Sequence, residues 1–146
     1  MAPYQVTARL SRAALHVARH QEEVFEHFGL NRGEVGVLSA LRMAGPDNRL
    51  SPTRLFKGLM LSSAGITSRL DRLEERGLVK RTRDPDDRRG VLVELTDDGA
   101  RILDEAVTAN TSSESELIAG LSSEEIGTLT ALLKKLVASL EPTEPA

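Results

Sequence analysis

Apolar side chains recur at Leu10, Ala14, Val17, Val24 and Phe28, in steps that draw one stripe along a long amphipathic helix over 4–28. Gly29 ends it. Asn31 followed by Glu34 has the form of a capping box, with Asn in place of Ser or Thr. It opens a second helix with Val35, Leu38 and Leu41 inward, which stops at Gly45-Pro46. The residues up to Leu50 read as a loop. Ser51-Pro52 then supplies an N-cap and a proline at the first position of a short third helix, with Leu55 and Leu59 inward. A break at Met60-Leu61 follows. Ser62 caps a fourth helix running to Arg76, Leu61 and Ile66 take the positions of a hydrophobic staple, and Gly77 is placed to terminate the helix.

Beyond Gly77 the period changes. Residues 78–82 and 91–95 are short β-rich runs, and the polar turn Arg83-Asp84-Pro85-Asp86-Asp87-Arg88-Arg89-Gly90 between them makes a β-hairpin with a charged tip. Thr96 or Asp97 caps a fifth helix carrying Ile102, Leu103, Ala106, Leu117 and Ile118, with a bend expected in its polar stretch 110–116. Ser122-Ser123-Glu124-Glu125 is a capping box for a last helix, with Ile126, Leu129, Leu132, Leu133, Leu136 and Leu140 inward. The tail 141–146 is expected to fray. Two helices across a tight break, followed at once by a hairpin, give the order of a winged helix-turn-helix. The fold expected is mainly α, with a small β-hairpin wing and long terminal helices.

Composition narrows the function. The 146 residues allow one domain with one core, and the four aromatics (Tyr4, Phe25, Phe28, Phe56) make that core aliphatic. No apolar run approaches the ~18 residues of a membrane span, and no signal peptide is recognisable, so a cytoplasmic chain without membrane association is expected. The absence of cysteine excludes disulfides, thiolate metal sites and cysteine-based redox sensing. The net charge of −3 argues against a nucleic-acid partner until it is mapped. Between 51 and 92 stand ten Lys/Arg against six Asp/Glu, a balance of +4; elsewhere nine stand against sixteen, −7. A basic centre between acidic ends suits one surface that meets phosphate, although a solvated charged face would look the same.

The fourth helix sorts into faces at about 100° per residue. Ile66, Leu70 and Leu73 cluster inward, while Ala64, Ser68, Asp71 and Glu75 point outward with Thr67 and Arg72 on the flanks. Small polar residues Ser63, Ala64, Gly65, Thr67 and Ser68 let a backbone approach base edges, and hydroxyls serve donor or acceptor edges alike. Arg72 has the reach for a phosphate or a guanine. Asp71 and Glu75 repel phosphate, so the end of the helix is expected to leave the groove. In the hairpin, Arg88 and Arg89 suit a narrow minor groove, and Asp87 could hold the Arg89 guanidinium in a bidentate pair. A solvated turn is the alternative.

The stretch LSSAGITSRLDRLEERGLVKRTRDPDDRRGVLVELT, residues 61–96, resembles the DNA-binding core of the multiple-antibiotic-resistance regulator (MarR) family. It shares the Ser-Ser opening, the RLDRLEERGLV run, the Asp-Pro-Asp-Asp-Arg-Arg wing and the closing Val-x-Leu-Thr; the helix order extends the likeness over nearly the whole chain. The resemblance implies a DNA-binding lobe over 31–96 and a helical dimerisation region over 1–30 and 97–146, in one MarR-like domain. It also implies contacts to double-stranded DNA from Ser51, Pro52, Ser62, Ser63, Ala64, Thr67, Ser68 and Arg72. In the wing it implies Arg89 in the minor groove beside Arg88, with Asp87 holding it. A homodimer would read an inverted repeat with half-sites ~10 bp apart, as a repressor released by a small anionic or phenolic effector.

Candidate effector groups are His16, His20 and Arg42. Arg42 could equally favour a helix dipole, and the histidines could face solvent. Their i, i+4 spacing can chelate a metal, but no Cys or matching carboxylate completes a set, so neither metal nor cofactor is expected. No Ser/His/Asp set or Gly-rich phosphate loop marks an enzyme. The competing expectation is a winged-helix protein-interaction adaptor that never contacts DNA.

Overall fold

The computed structural model describes residues 2–59 and 63–141, and within the fourth helix the side chains from Gly65 onward. The Ser62 cap, the Leu61–Ile66 staple, the side chains of Ser63 and Ala64, and the tail from Pro142 on lie outside the described residues. The order is α1 (Ala2–Glu26), α2 (Arg32–Arg42), β1 (Arg49–Leu50), α3 (Pro52–Leu59), α4 (Ser63–Glu75), β2 (Val79–Arg83), β3 (Val91–Leu95), α5 (Asp97–Ser113), a 3-10 turn (Glu114–Glu116) and α6 (Ser123–Leu140).

Local chemistry accounts for most of these boundaries. Gly29 and Gly77 take φ of 68° and 73°, the left-handed conformation that ends α1 and α4 without a Cβ penalty. Asn31 and Glu34 close the capping box of α2 in both directions, and Ser122 with Glu125 does the same for α6. The Ser51 hydroxyl accepts from the Arg54 N–H at 3.3 Å. Thr96, rather than Asp97, caps α5: its Oγ1 accepts from the Gly99 N–H at 3.0 Å and donates to the Gly77 carbonyl at 2.7 Å. That hydroxyl thereby ties the start of α5 to the turn after α4.

Two expectations change. The loop before Ser51 contains a strand: Arg49 and Leu50 pair antiparallel with Glu94 and Val93, so the wing belongs to a three-stranded sheet of order β1-β3-β2. Two residues are too short to show alternation in sequence. The fifth helix also ends earlier than expected. It stops at Ser113, where the polar run passes into the 3-10 turn, so Leu117 and Ile118 do not continue its stripe. Serine and threonine compete for their own backbone there and weaken the helix.

The chain forms two compact units, Met1–Thr111 and Ser112–Ala146. The first holds the core, in which Leu38, Leu41, Leu55, Ile66, Leu70, Leu73 and Val93 are buried between α2, α3, α4 and the sheet. This packing fixes α4 and the hairpin on one scaffold. On α1 only Phe25 is buried; Tyr4, Val6, Leu15 and Val17 are exposed. In the second unit α6 buries no residue, and Leu129, Leu132, Val137 and Leu140 are exposed. Among the described residues no helix is long and apolar enough to cross a membrane.

Candidate nucleic-acid interface

The outward face of α4 meets its description from sequence: Ile66, Leu70 and Leu73 are buried, and Thr67, Ser68, Asp71 and Glu75 are exposed. The hairpin register runs from Val79–Leu95 to Arg83–Val91. Its tip is closed by backbone bonds from Asp84 N to Gly90 O (3.0 Å) and from Gly90 N to Asp87 O (2.9 Å). Two aspartates shape it further. Asp84 Oδ1 accepts from Asp86 N at 2.9 Å, and Asp87 Oδ1 accepts from Arg89 N at 3.0 Å. The expectation for Asp87 is thus corrected: it takes the backbone N–H of Arg89, not its guanidinium, because an aspartate two residues back closes a local Asx turn more readily than it meets a long side chain. Arg83, Arg88 and Arg89 are exposed, and none is in an ion pair among the described residues.

The arginines on and behind α4 are arranged differently. Arg81 on β2 reaches back to Asp71 (2.6 Å) and Glu74 (2.8 Å), while its own N–H donates to Glu74 Oε2 at 3.0 Å. The hydrogen bond to Asp71, followed by that to Glu74, raises the Arg81 pKa above its ordinary value. Asp71 thus clamps helix to wing, and Arg81, shared with Glu74, offsets only part of the repulsion expected of the two carboxylates. Arg76 donates to the carbonyls of Gly29 (2.6 Å) and Phe28 (3.1 Å). Arg72, expected to point at DNA, turns its Nε to Glu34 Oε2 at 3.2 Å and its Nη2 to the Gly29 carbonyl at 3.4 Å. Arginines at 69, 72 and 76 fall on one side of a helix, a stripe the sequence displays but reasoning from charge alone assigns to solvent.

A cleft of about 680 Å³ opens beside α1 and the first turn of α2, lined among others by Gln21, Glu22, Phe25, Arg32, Gly33 and Arg69. Arg32 donates to Gln21 Oε1 at 2.8 Å and, through its backbone, to Glu22 Oε1 at 2.9 Å. The Arg69 guanidinium lies against Gly33 so closely that a Cβ there would overlap it. Its buried Nε has no hydrogen-bond partner among the described residues. His16, His20 and Arg42 do not line this cleft. Arg42 is held by Asp104 at 2.8 Å and the Ala100 carbonyl at 3.3 Å, a strut from α2 to α5. His16 is exposed on α1, and among the described residues no cluster of His, Asp or Glu is arranged to hold a metal ion.

A sequence model of the MarR family matches residues 28–90, from just after α1 to the tip of the hairpin. The HTH-type transcriptional regulator PecS of Dickeya dadantii (strain 3937) is 34% identical over 134 residues, spanning 92% of this chain and 81% of PecS. The chain belongs to the MarR family. It is accordingly a DNA-binding transcription regulator and not an enzyme. Solved structures agree in fold. Mutant MarR from E. coli complexed with operator DNA is 30% identical with a TM-score of 0.78, covering 90% of this chain and 93% of that one. BpsR of Bordetella bronchiseptica, in a structure concerned with regulation of its DNA binding by 6-hydroxynicotinic acid, is 29% identical with a TM-score of 0.77, covering 91% and 98%. The winged helix-turn-helix order of this MarR-family chain is the fold it shares with those structures.

Proposed function

We propose that this MarR-family regulator is a ligand-responsive repressor that binds an inverted repeat in duplex DNA as a homodimer, and that it works in the cytoplasm. The observation that carries the reading is the pair of arginines, Arg88 and Arg89, exposed and without ion pairs at the tip of a hairpin whose base is clamped to α4. Two adjacent cations held on a short, hydrogen-bonded turn suit a narrow minor groove. Ser62, Ser63, Ala64, Thr67 and Ser68 take the major groove. Ser51-Pro52 meets a phosphate, and Asp87 serves by shaping the turn that presents Arg89.

Dimerisation is supported by the apolar residues of α1 and α6 that one chain leaves exposed, together with the two-fold logic of an inverted repeat. In this reading 31–96 is the DNA-binding lobe, and 1–30 with 97–146 pair the subunits. The effector is a small anionic or phenolic molecule held in the cleft at Arg69. The Arg69 guanidinium supplies a cation to the lining and Phe25 an apolar wall. The named effector of BpsR, an aromatic acid, is of this chemical kind.

Selection of bound duplexes from a random pool tests the reading. Recovery of an inverted repeat, saturated by two subunits per repeat in sedimentation and released by an aromatic acid, supports it. A protein that retains no duplex even at low salt, where phosphate contacts are strongest, overturns it.

A further inference from the structure

Glu34 is 1% exposed, and it carries a carboxylate in the first turn of α2. One oxygen is committed to the capping box, accepting from Asn31 N at 3.0 Å. The other, Oε2, is buried and accepts no hydrogen bond among the described residues. Its neighbour of opposite charge is Arg72 Nε at 3.2 Å, and no other described cation forms an ion pair with it. Arg72 also reaches the Gly29 carbonyl at 3.4 Å, the same oxygen that Arg76, just past the end of α4, takes at 2.6 Å. The recognition helix is therefore fastened to the α1–α2 corner by two successive arginines. One of them answers a buried charge that has no other ion-pair partner among the described residues.

We infer that Arg72 is a positioning residue. It fixes the seat of α4 through Glu34 and does not read DNA. Two features of the site favour this over a direct contact. The guanidinium edge that faces the protein meets a carboxylate and a carbonyl, and drawing that edge away to a phosphate would leave a carboxylate shut off from water without the one cation paired with it among the described residues. Glu34 also sits at the first turn of α2, next to Asn31, where the chain leaves Gly29. Neutralising it there holds α2 and α4 at one relative setting. The pitch of α4 decides whether Thr67 and Ser68 meet base edges, so the pair acts on affinity without touching the duplex. This rests on DNA binding by α4, which membership of the family supplies.

The test compares four proteins, wild type, Glu34→Gln, Arg72→Met and the double variant, on a selected duplex across a salt series, with thermal melting alongside. Glu34→Gln keeps an oxygen for the Asn31 N–H while removing the buried charge. Expected are a several-fold loss of affinity for Glu34→Gln and a loss of tenfold or more for Arg72→Met. The dependence of log K on log salt should be unchanged in both, because no phosphate contact is removed. The deciding pair is Glu34→Gln against the double variant, which differ only at residue 72 with the buried charge gone. Equal affinity within twofold and equal salt slope support positioning. A further loss in the double variant, with the slope smaller by about one, shows a direct phosphate contact and overturns it. So does wild-type affinity in Arg72→Met. This comparison stands even where Arg72→Met alone fails to fold, and a wild type that binds no duplex counts against DNA binding itself.

Discussion

Two groups of arginines sit a few residues apart in this chain and are treated in opposite ways. Those of α4 and β2, Arg72, Arg76 and Arg81, are each bound to carboxylates or carbonyls of neighbouring elements. Those of the wing, Arg83, Arg88 and Arg89, are exposed and in no ion pair among the described residues. The same side chain thus serves as internal fastener in one place and as outward probe in the other. The determinant is what lies within reach. Alpha-helical arginines beside the α1–α2 corner find carbonyls left open at a helix end, whereas the acidic residues of the hairpin spend Asp84 and Asp87 on backbone N–H groups.

The contrast is sharpest where binding and stability separate. Arg89→Ala should weaken duplex binding by roughly 30-fold, about 2 kcal/mol, with melting unchanged. A binding isotherm and a melt on the same sample check both, and a fall in melting temperature would erase the distinction. Arg76→Met should do the reverse. Losing hydrogen bonds to two carbonyls costs on the order of 1–2 kcal/mol of stability, read in denaturant unfolding, with the salt slope of binding intact. Arg81→Met is milder. Its pairs with Asp71 and Glu74 are partly exposed, so about 1 kcal/mol or less is expected, with a few-fold loss of affinity as the wing loosens from α4.

The smallest effect concerns Glu125, whose pKa is lowered chiefly by the hydrogen bond from the Ser122 N–H and then by the Ser122 side chain. A lowered folded-state pKa stabilises at pH above the unfolded value, and that contribution is lost as pH falls through the folded value. Helicity followed by circular dichroism should show a slight acid loss that Glu125→Gln flattens. A profile unmoved by that substitution would place the acid response elsewhere.

Elements held by local signals were legible before any coordinates: the capping boxes at Asn31 and Ser122, the glycine stops at 29 and 77, and the inward stripe Ile66, Leu70, Leu73. The strand Arg49–Leu50 was not, because two residues carry no period and their pairing with β3 spans more than forty positions. The site was legible in residue type and not in direction. Charge, spacing and family resemblance single out Arg72, Asp87 and Arg42. Only the fold reveals that each turns to a nearby partner: a buried glutamate, a backbone N–H, and Asp104. Burial of Glu34 could not be read from sequence either, since a capping glutamate is normally half in water.

Gly33 gives the cleft a particular evolutionary fragility. Every glycine codon lies one nucleotide from an alanine codon. An added methyl would meet the far end of the flexible Arg69 side chain, which can yield, and alanine is the better helix former by roughly 1 kcal/mol. The change would be kind to the fold while pushing aside the guanidinium that the effector is proposed to need. If the protein is the ligand-released repressor proposed above, a population selected for steady silence of its target genes would thus have a short route to a variant that still holds DNA and no longer hears the signal.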